Sequence, residues 1–193
     1  AKNILYYLTN RMVENHGIQE SVIQKAITEK VDLFITVDGC SSSFDGVKQL
    51  NAVGCKVIIT DHHLVPSQLP EAELIVNPKQ NSCNYPYKML AGVGVTLILM
   101  QALAKKTQVP LDYKYYFWTA LGTLADRAPM TGVNRIISCY ALAHLNETQD
   151  ENILYLKDFF QIGTTKGELN RFLQILSKIL SSGREMYGRH KVM

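Results

Sequence analysis

Residues able to bind a metal ion or transfer a proton occur in three groups, each at the end of a predicted element. Asp38 follows one apolar strand, the tripeptide Asp61-His62-His63 follows the next, and Asp126 ends a helical pattern. In open parallel sheets the ligand crevice lies beyond the carboxyl ends of the strands, so Asp38 and the tripeptide are expected to share one edge. Carboxylates with one or two imidazoles suit Mn²⁺ or Mg²⁺ better than a structural Zn²⁺, which usually recruits thiolates. The pattern predicts a divalent-metal site.

Each group also has a purely structural interpretation. An Asp after a strand commonly forms a turn or caps a helix, and adjacent histidines in a loop are commonly solvated. Asp126 also serves to end its helix, although a carboxylate there opposes the helix dipole and favours a nearby cation. The repetition favours the metal site, because an apolar strand followed by Asp and a second strand followed by Asp-His-His place the same chemistry on neighbouring strands.

The elements that must position these residues begin with an alternation of β-branched runs and helical patterns, which is typical of a parallel α/β sheet. Strands are predicted at Asn3–Leu8, Val31–Val37, Lys56–Thr60 and, more weakly, Glu73–Val76. A helix is predicted over Ser21–Glu29. A second helix follows three serines, turns Phe44, Val47 and Leu50 inward and ends at Gly54.

From Gly92 onward the pattern becomes helical. The predicted helices are Val93–Lys105, Asp112–Ala125, Val133–Leu145, Glu151–Phe160 and Lys166–Ser182. The segment Val93–Leu103 is apolar around nearly its whole circumference, which predicts burial at the centre of the molecule. The expected fold class is therefore α/β, a parallel Rossmann-like sheet flanked by helices and followed by a helical layer.

Composition narrows the function classes. With 193 residues, 47% hydrophobic residues and a net charge of +3, the chain has the make-up of a folded domain, and the charge is too small to argue for nucleic acid by itself. The longest apolar run, Ala91–Met100, is about half of what a membrane-spanning helix needs. Four scattered cysteines without a Cys-x-x-Cys pair favour a reducing compartment, so a cytoplasmic location and no membrane partner are expected.

Four blocks of sequence resemble the RecJ-type single-strand-specific exonucleases of the DHH phosphoesterase superfamily. The resemblance extends from about Ile4 to Arg135, with the blocks in the family's order and spacing. The blocks are Ile58-Ile59-Thr60-Asp61-His62-His63, then Ile75-Val76-Asn77-Pro78-Lys79 with Cys83-Asn84-Tyr85-Pro86-Tyr87, then Leu90-Ala91-Gly92-Val93-Gly94-Val95, and finally Leu121-Gly122-Thr123-Leu124-Ala125-Asp126.

The resemblance implies a role for each candidate site residue. Asp38 matches a carboxylate that bridges two divalent metals, and His62 and Asp126 match further metal ligands. His63 matches the histidine that contacts the scissile phosphate, and Asp61 supports the histidines from behind. The implied reaction is two-metal hydrolysis of phosphodiester bonds in single-stranded DNA, from the 5′ end, in DNA repair and recombination. The implied cofactor is Mn²⁺ or Mg²⁺, and the implied partner is single-stranded nucleic acid.

The chain departs from the family pattern at three points. Gly39-Cys40 reverses the usual order after the bridging carboxylate, and Arg127 follows Asp126 where the family has an apolar residue. The first family motif, an Asp-x-Asp that supplies two metal ligands, does not occur and is expected upstream of Ala1. Residues 1–180 are accordingly expected to form an N-terminally incomplete DHH domain that is inactive by itself, and residues 181–193 to begin an interdomain helix or tail.

Three alternatives stay open at this point. An oligoribonuclease or a cyclic-dinucleotide phosphodiesterase of the same superfamily would use the same site, but the Asn-Pro-Lys and Ala-Gly-Val-Gly-Val blocks argue against both. A catalytically inactive scaffold would explain the departures beside Asp38 and Asp126, yet would not require four converging ligands. The oligomeric state is not predicted.

Overall fold

In the computed structural model, which describes residues 3–9 and 14–186, three strands form one parallel sheet. They are β1 (Leu33–Val37), β2 (Lys56–Thr60) and β3 (Leu74–Val76), hydrogen-bonded in the order β1-β2-β3. The register pairs Val37 with Thr60 and Thr60 with Val76, so all three strands end level. The residues that directly follow them therefore meet at one edge of the sheet, as parallel topology requires.

Seven helices accompany the sheet within the described residues. They are α1 (Glu20–Thr28), α2 (Phe44–Ala52), α3 (Gly92–Thr107), α4 (Lys114–Ala125), α5 (Gly132–Ala143), α6 (Glu151–Phe159) and α7 (Lys166–Met186). Each predicted helix is present, with ends that shift by a few residues. The predicted fold class, a parallel sheet flanked by helices and followed by a helical layer, is confirmed.

One hydrophobic cluster joins the sheet to α1 and α2. Ile23 of α1, Val47 and Leu50 of α2, and Val57 and Ile59 of β2 are buried together. Val57 and Ile59 share a face because side chains alternate along a strand. The prediction that Phe44 turns inward is wrong: Phe44 is 42% exposed because it begins α2, one turn before the buried stripe.

A second cluster holds the helical layer together. Phe117 of α4, Leu145, Ile153 of α6, and Phe172 and Leu173 of α7 are buried in it. Helix α3 lies between the two halves, where it contacts β1, β2 and α4.

The predicted burial of α3 holds for only part of its length. Gly92, Gly94, Val95 and Leu97 are buried, whereas Leu103 is 52% exposed. The buried residues all lie in the first two turns of α3, whereas its last turn carries the exposed Lys105 and Lys106, whose charges stay in water.

The strand predicted at Asn3–Leu8 is wrong. Residues 3–9 carry no strand, and Ile4 and Tyr6 are largely exposed. Among the described residues β1 pairs with β2 and has no partner on its other side. A β-branched and aromatic run forms a strand only when a neighbour pairs with its backbone groups, and Asn3–Leu8 lacks one here.

The carboxyl-terminal boundary of the domain is not settled by the fold. Helix α7 continues through residue 180 to Met186, and residues 187–193 lie outside the described part of the chain. The division at residues 180 and 181 therefore stays a prediction. No helix of the described residues is long and apolar enough to cross a membrane.

Candidate metal centre

Asp38 begins a left-handed turn directly after β1. Its N–H still donates to the carbonyl of Thr60 at 3.0 Å, so it extends the β1–β2 pairing by one residue. Its φ is +65°, and Cys40 has a φ of +79°, a region that L residues other than Gly, Asn and Asp seldom adopt. Cys40 stands where the resembling family has Gly, so the reversed Gly39-Cys40 order leaves the left-handed position to a residue with a Cβ. The turn nevertheless directs Asp38 toward the strand ends.

His62 is oriented by a main-chain carbonyl. Its Nδ1 lies 3.0 Å from the carbonyl oxygen of Leu90, which can only accept, so Nδ1 carries a hydrogen. In the neutral ring Nε2 then presents its lone pair, the arrangement found in metal-binding histidines. Nε2 lies 3.1 Å from Oδ1 of Asp38 and 3.6 Å from Oδ2 of Asp126. The three predicted ligands are thus brought together.

The converging atoms fit a cation. Oδ1 of Asp38 and Nε2 of His62 are both buried, and within the described chain neither makes an aligned hydrogen bond. The carboxylate of Asp38 raises the pKa of His62, and Asp126 acts in the same direction, while burial and Lys79 oppose them. A pocket that favours positive charge on the ring also favours a divalent cation among the same atoms. Two carboxylates and an imidazole are suitable donors for Mn²⁺.

Asp126 is held at the carboxyl end of α4. It directly follows the last helical residue, and its N–H donates to the carbonyl of Gly122 at 2.9 Å. Arg127 follows with a φ of +59°, its N–H donates to Leu124, and the N–H of Ala128 donates to Thr123. These bonds form a Schellman motif, in which the left-handed residue is usually Gly. Arg127 therefore occupies the position that ends α4, and its exposed side chain leaves Asp126 facing His62.

Asp61 organises the tripeptide from a buried position. Its Oδ1 accepts from the N–H groups of His62 (2.7 Å) and His63 (3.1 Å) and lies 2.7 Å from Nδ1 of His63. Its Oδ2 accepts from the N–H of Ser41 at 3.1 Å. Burial alone would raise the pKa of Asp61, but the hydrogen bonds from Ser41, His63 and His62 outweigh it and lower that pKa. Asp61 is thus ionised, and its hydrogen bonds orient the main chain of His62 and His63 and the ring of His63.

His63 presents its ring to solvent at the rim of the centre. The side chain is 61% exposed, in contrast to His62 at 14%. Ligand atoms of Asp38, His62 and His63 nevertheless all lie within 4.8 Å of one another. An exposed imidazole beside a metal site is available to a substrate, whereas a buried one is not. The division of roles between His62 and His63 stays a prediction.

Sequence reasoning missed four residues that shape the site. Leu90 orients His62 through its carbonyl, Gly92 packs against Asp38, and Ser41 and Asn77 extend the hydrogen bonds around Asp61. Asn77 directly follows β3, so the rule that located Asp38 and Asp61 at strand ends would also have found it. Leu90 acts through its main-chain carbonyl, Gly92 through the absence of a side chain, and Ser41 through its N–H and its hydroxyl, and residue type alone does not reveal these roles.

Comparison with known proteins places the fold and the sequence in one family. Residues 1–123 match the model of the DHH family, N-terminal domain. The single-stranded-DNA-specific exonuclease RecJ of Haemophilus influenzae is 41% identical over 150 residues, covering 72% of this chain and 26% of the relative. RecJ of Bacillus subtilis is 36% identical over 166 residues, covering 86% of this chain and 20% of the relative. The chain spans about a quarter or less of the length of these relatives.

Solved structures of RecJ proteins have a fold similar to that of this chain. A crystal structure of exonuclease RecJ bound to manganese matches 93% of this chain and 50% of its own chain, with a TM-score of 0.72 at 24% identity, which supports the fold. RecJ of Thermus thermophilus in complex with Mn²⁺ matches 84% of this chain and 27% of its own, with a TM-score of 0.64 at 26% identity. From its first residue to the last turn of α4, this chain belongs to the DHH family.

Proposed function

We propose that this chain forms the metal-binding part of an exonuclease that hydrolyses phosphodiester bonds of single-stranded DNA from the 5′ end. The observation that carries the proposal is the convergence of Asp38, His62 and Asp126 at the carboxyl edge of the sheet. Nε2 of His62 lies 3.1 Å from Oδ1 of Asp38 and 3.6 Å from Oδ2 of Asp126. The names of the relatives support the substrate class.

Asp38, His62 and Asp126 would hold Mn²⁺ or Mg²⁺, the ions bound in the RecJ structures of similar fold. Such ions supply charge neutralisation at the phosphate and activation of water near neutral pH. Asp38 lies against both His62 and the start of α3, and the family resemblance implies that its carboxylate would bridge the two ions. His62 is oriented by Leu90 at Nδ1, so binding of a metal at Nε2 requires no change of tautomer.

His63 would contact the phosphate. Asp61 accepts from Nδ1, which leaves Nε2 of this exposed ring available to a ligand, and a protonated ring donates from Nε2 to a phosphate oxygen. Asp61 is ionised and holds the ring through the bond from Nδ1. Together the two residues provide a fixed donor where negative charge develops during hydrolysis.

DNA is proposed over RNA or a cyclic dinucleotide because relatives at 36 to 41% identity are named single-stranded-DNA-specific exonucleases. A phosphate-centred site carries little base information, so the site itself does not select the sugar. The 5′ polarity and a role in DNA repair and recombination follow from the family resemblance and form part of the proposal.

The test uses the full-length product of the gene that encodes this chain. Oligodeoxynucleotides with a label at either the 5′ or the 3′ end are incubated with Mn²⁺, and released mononucleotides are measured. We expect release from the 5′ end of single strands, loss of release in Asp38→Ala, and normal release in Asp45→Ala, which removes an exposed carboxylate from α2. Release from the 3′ end, or release that survives Asp38→Ala, would contradict the proposal.

A further inference from the structure

Asn77 is a buried amide whose polar atoms are all hydrogen-bonded. The residue is 2% exposed and directly follows β3. Its Nδ2 donates to the carbonyl oxygen of His63 at 3.0 Å and to Oγ of Ser41 at 3.2 Å, and its Oδ1 accepts from the N–H of Lys79 at 2.9 Å. A carbonyl only accepts and an N–H only donates, so these partners define the orientation of the amide. Breaking such a buried arrangement is costly.

The two bonds from Nδ2 close a ring of contacts around His63. Ser41 follows β1, and its N–H donates to Oδ2 of Asp61. Asp61 in turn accepts from Nδ1 of His63 through Oδ1. His63 is therefore held at its carbonyl by Asn77 and at its imidazole by Asp61, and Ser41 connects these two supports. Asn77, which follows β3, is therefore hydrogen-bonded to residues that follow β1 and β2.

A turn-forming role explains only part of this arrangement. The bond from Lys79 to Oδ1 is a local Asx turn, which is enough to end a strand. The Nδ2 bonds reach His63 and Ser41 across 14 and 36 residues, and neither is needed to form the turn.

We propose that Asn77 is a positioning residue for His63, which it holds with Nδ1 toward Asp61 and Nε2 free toward a substrate phosphate. The phosphate contact rests on the proposed function, whereas the orientation of the ring does not. Asn77 does not touch the reacting atoms itself, because its side chain is enclosed by Ser41, His63 and Lys79. It is therefore not a catalytic residue.

The Asn77→Asp variant tests the proposal with almost no change in volume. The new carboxylate keeps an acceptor for the N–H of Lys79 but turns a second acceptor toward the carbonyl of His63, where no donor remains. Asn81→Asp is the matched control, because it adds the same charge at an exposed position of the same loop. Ser41→Ala is a second variant that removes Oγ and keeps the N–H that donates to Asp61.

The readout is the Nδ1 proton of His63 in ¹⁵N-histidine-labelled chain, assigned with His63→Gln and measured at the same pH for every variant. We expect a protected Nδ1 proton in the original chain and in Asn81→Asp. In Asn77→Asp its exchange should be at least about tenfold faster, which corresponds to the loss of one buried hydrogen bond. Ser41→Ala should change exchange in the same direction by a smaller factor.

An unchanged Nδ1 proton in folded Asn77→Asp overturns the proposal. If Asn77→Asp does not fold, unchanged exchange in Ser41→Ala overturns it instead. A parallel titration with thymidine 5′-monophosphate in the presence of Mg²⁺ separates the two proposals. A His63 ring that does not respond to the nucleotide in the full-length gene product contradicts its phosphate role, whereas the exchange of the Nδ1 proton alone decides the role of Asn77.

Discussion

Gly92 packs its Cα directly against the carboxylate of Asp38. A Cβ at position 92 would lie 2.7 Å from both Cβ and Cγ of Asp38, and nearer still to Oδ1. Gly92 is the first residue of α3, and it is buried. The glycine therefore lets the start of α3 approach the metal-binding carboxylate more closely than any residue with a side chain would allow.

Gly92→Ala should displace Asp38 and weaken Mn²⁺ binding by about 10- to 100-fold, the range seen when groups behind a metal ligand are changed. Binding of Mn²⁺ to the purified chain, followed by electron paramagnetic resonance, measures the effect. Gly39→Ala is the control, because Gly39 lies beside Asp38 in the turn after β1 and a methyl group there would meet nothing within 4 Å. Equal Mn²⁺ affinity in both variants would show that Asp38 is not held by this contact.

Asp38→Ala and His63→Ala should separate metal binding from turnover. Removing Asp38 takes away the ligand nearest to His62, so both Mn²⁺ binding and nuclease activity should be lost. Removing His63 should lower turnover by about 10²- to 10³-fold, the usual effect of losing one donor to developing charge, with Mn²⁺ affinity largely kept. Calorimetric titration and nucleotide release, both on the full-length gene product, measure the two quantities. Loss of Mn²⁺ binding in His63→Ala would instead make His63 a ligand.

Asp61→Asn should destabilise the fold in a pH-dependent way. The pKa of Asp61 is lowered in the folded chain, so its stabilising effect is complete above the unfolded value of about 3.9 and is lost as the pH falls toward the folded value. At neutral pH the free energy of unfolding of the variant should be about 1 to 3 kcal/mol lower, because its amide cannot accept every hydrogen bond that Asp61 accepts. Urea unfolding between about pH 7 and pH 3 measures the difference, which should shrink as the solution is acidified.

The exposed Asp158→Asn serves as the control for this comparison, since it removes the same charge from the surface. A stability difference for Asp61→Asn that stays constant across the whole pH range would mean that ionisation of Asp61 does not contribute to the fold.

Arg127→Gly should stabilise the chain. Arg127 adopts a φ of +59° at the left-handed position that ends α4, and glycine incurs no steric cost there. A gain of about 1 kcal/mol in the free energy of unfolding is expected, as measured by urea denaturation. Arg127→Ala removes the same charge but keeps a Cβ, so it should show no such gain. An equal gain in both variants would assign the effect to charge and not to the backbone.

The 193-residue chain by itself should bind Mn²⁺ weakly and show little or no nuclease activity. Asp38 and Asp126 supply two negative charges around His62, and holding two divalent ions about 3.5 to 4 Å apart requires more. Nucleotide release from labelled single-stranded DNA, compared at equal concentration with the full-length gene product, measures this. Equal activity of the two proteins would show that these ligands suffice.

The position of the site along the chain could be predicted because it depends on local patterns. Apolar runs before Asp38 and Asp61 indicate strands, parallel strands end at one edge, and a short polar group after each run is therefore brought to that edge. The helices of the helical layer were predictable for the same reason, since the spacing of apolar residues along each helix indicates one buried face. Residue type then suggested a divalent metal, and the family blocks suggested which histidine does what.

Only the tertiary structure decided how the ligands meet and what holds them. The tautomer of His62 depends on the carbonyl of Leu90, which lies 28 residues away in the sequence. The left-handed turn at Asp38 depends on its pairing with β2 and its contact with Gly92. Asn3–Leu8 did not form a strand, because no segment within residues 3–9 and 14–186 pairs with it. These features arise from contacts between residues distant in the chain. Strand and helix patterns report the preferences of a local segment, whereas hydrogen-bond partners and close packing are set only when distant segments are in place.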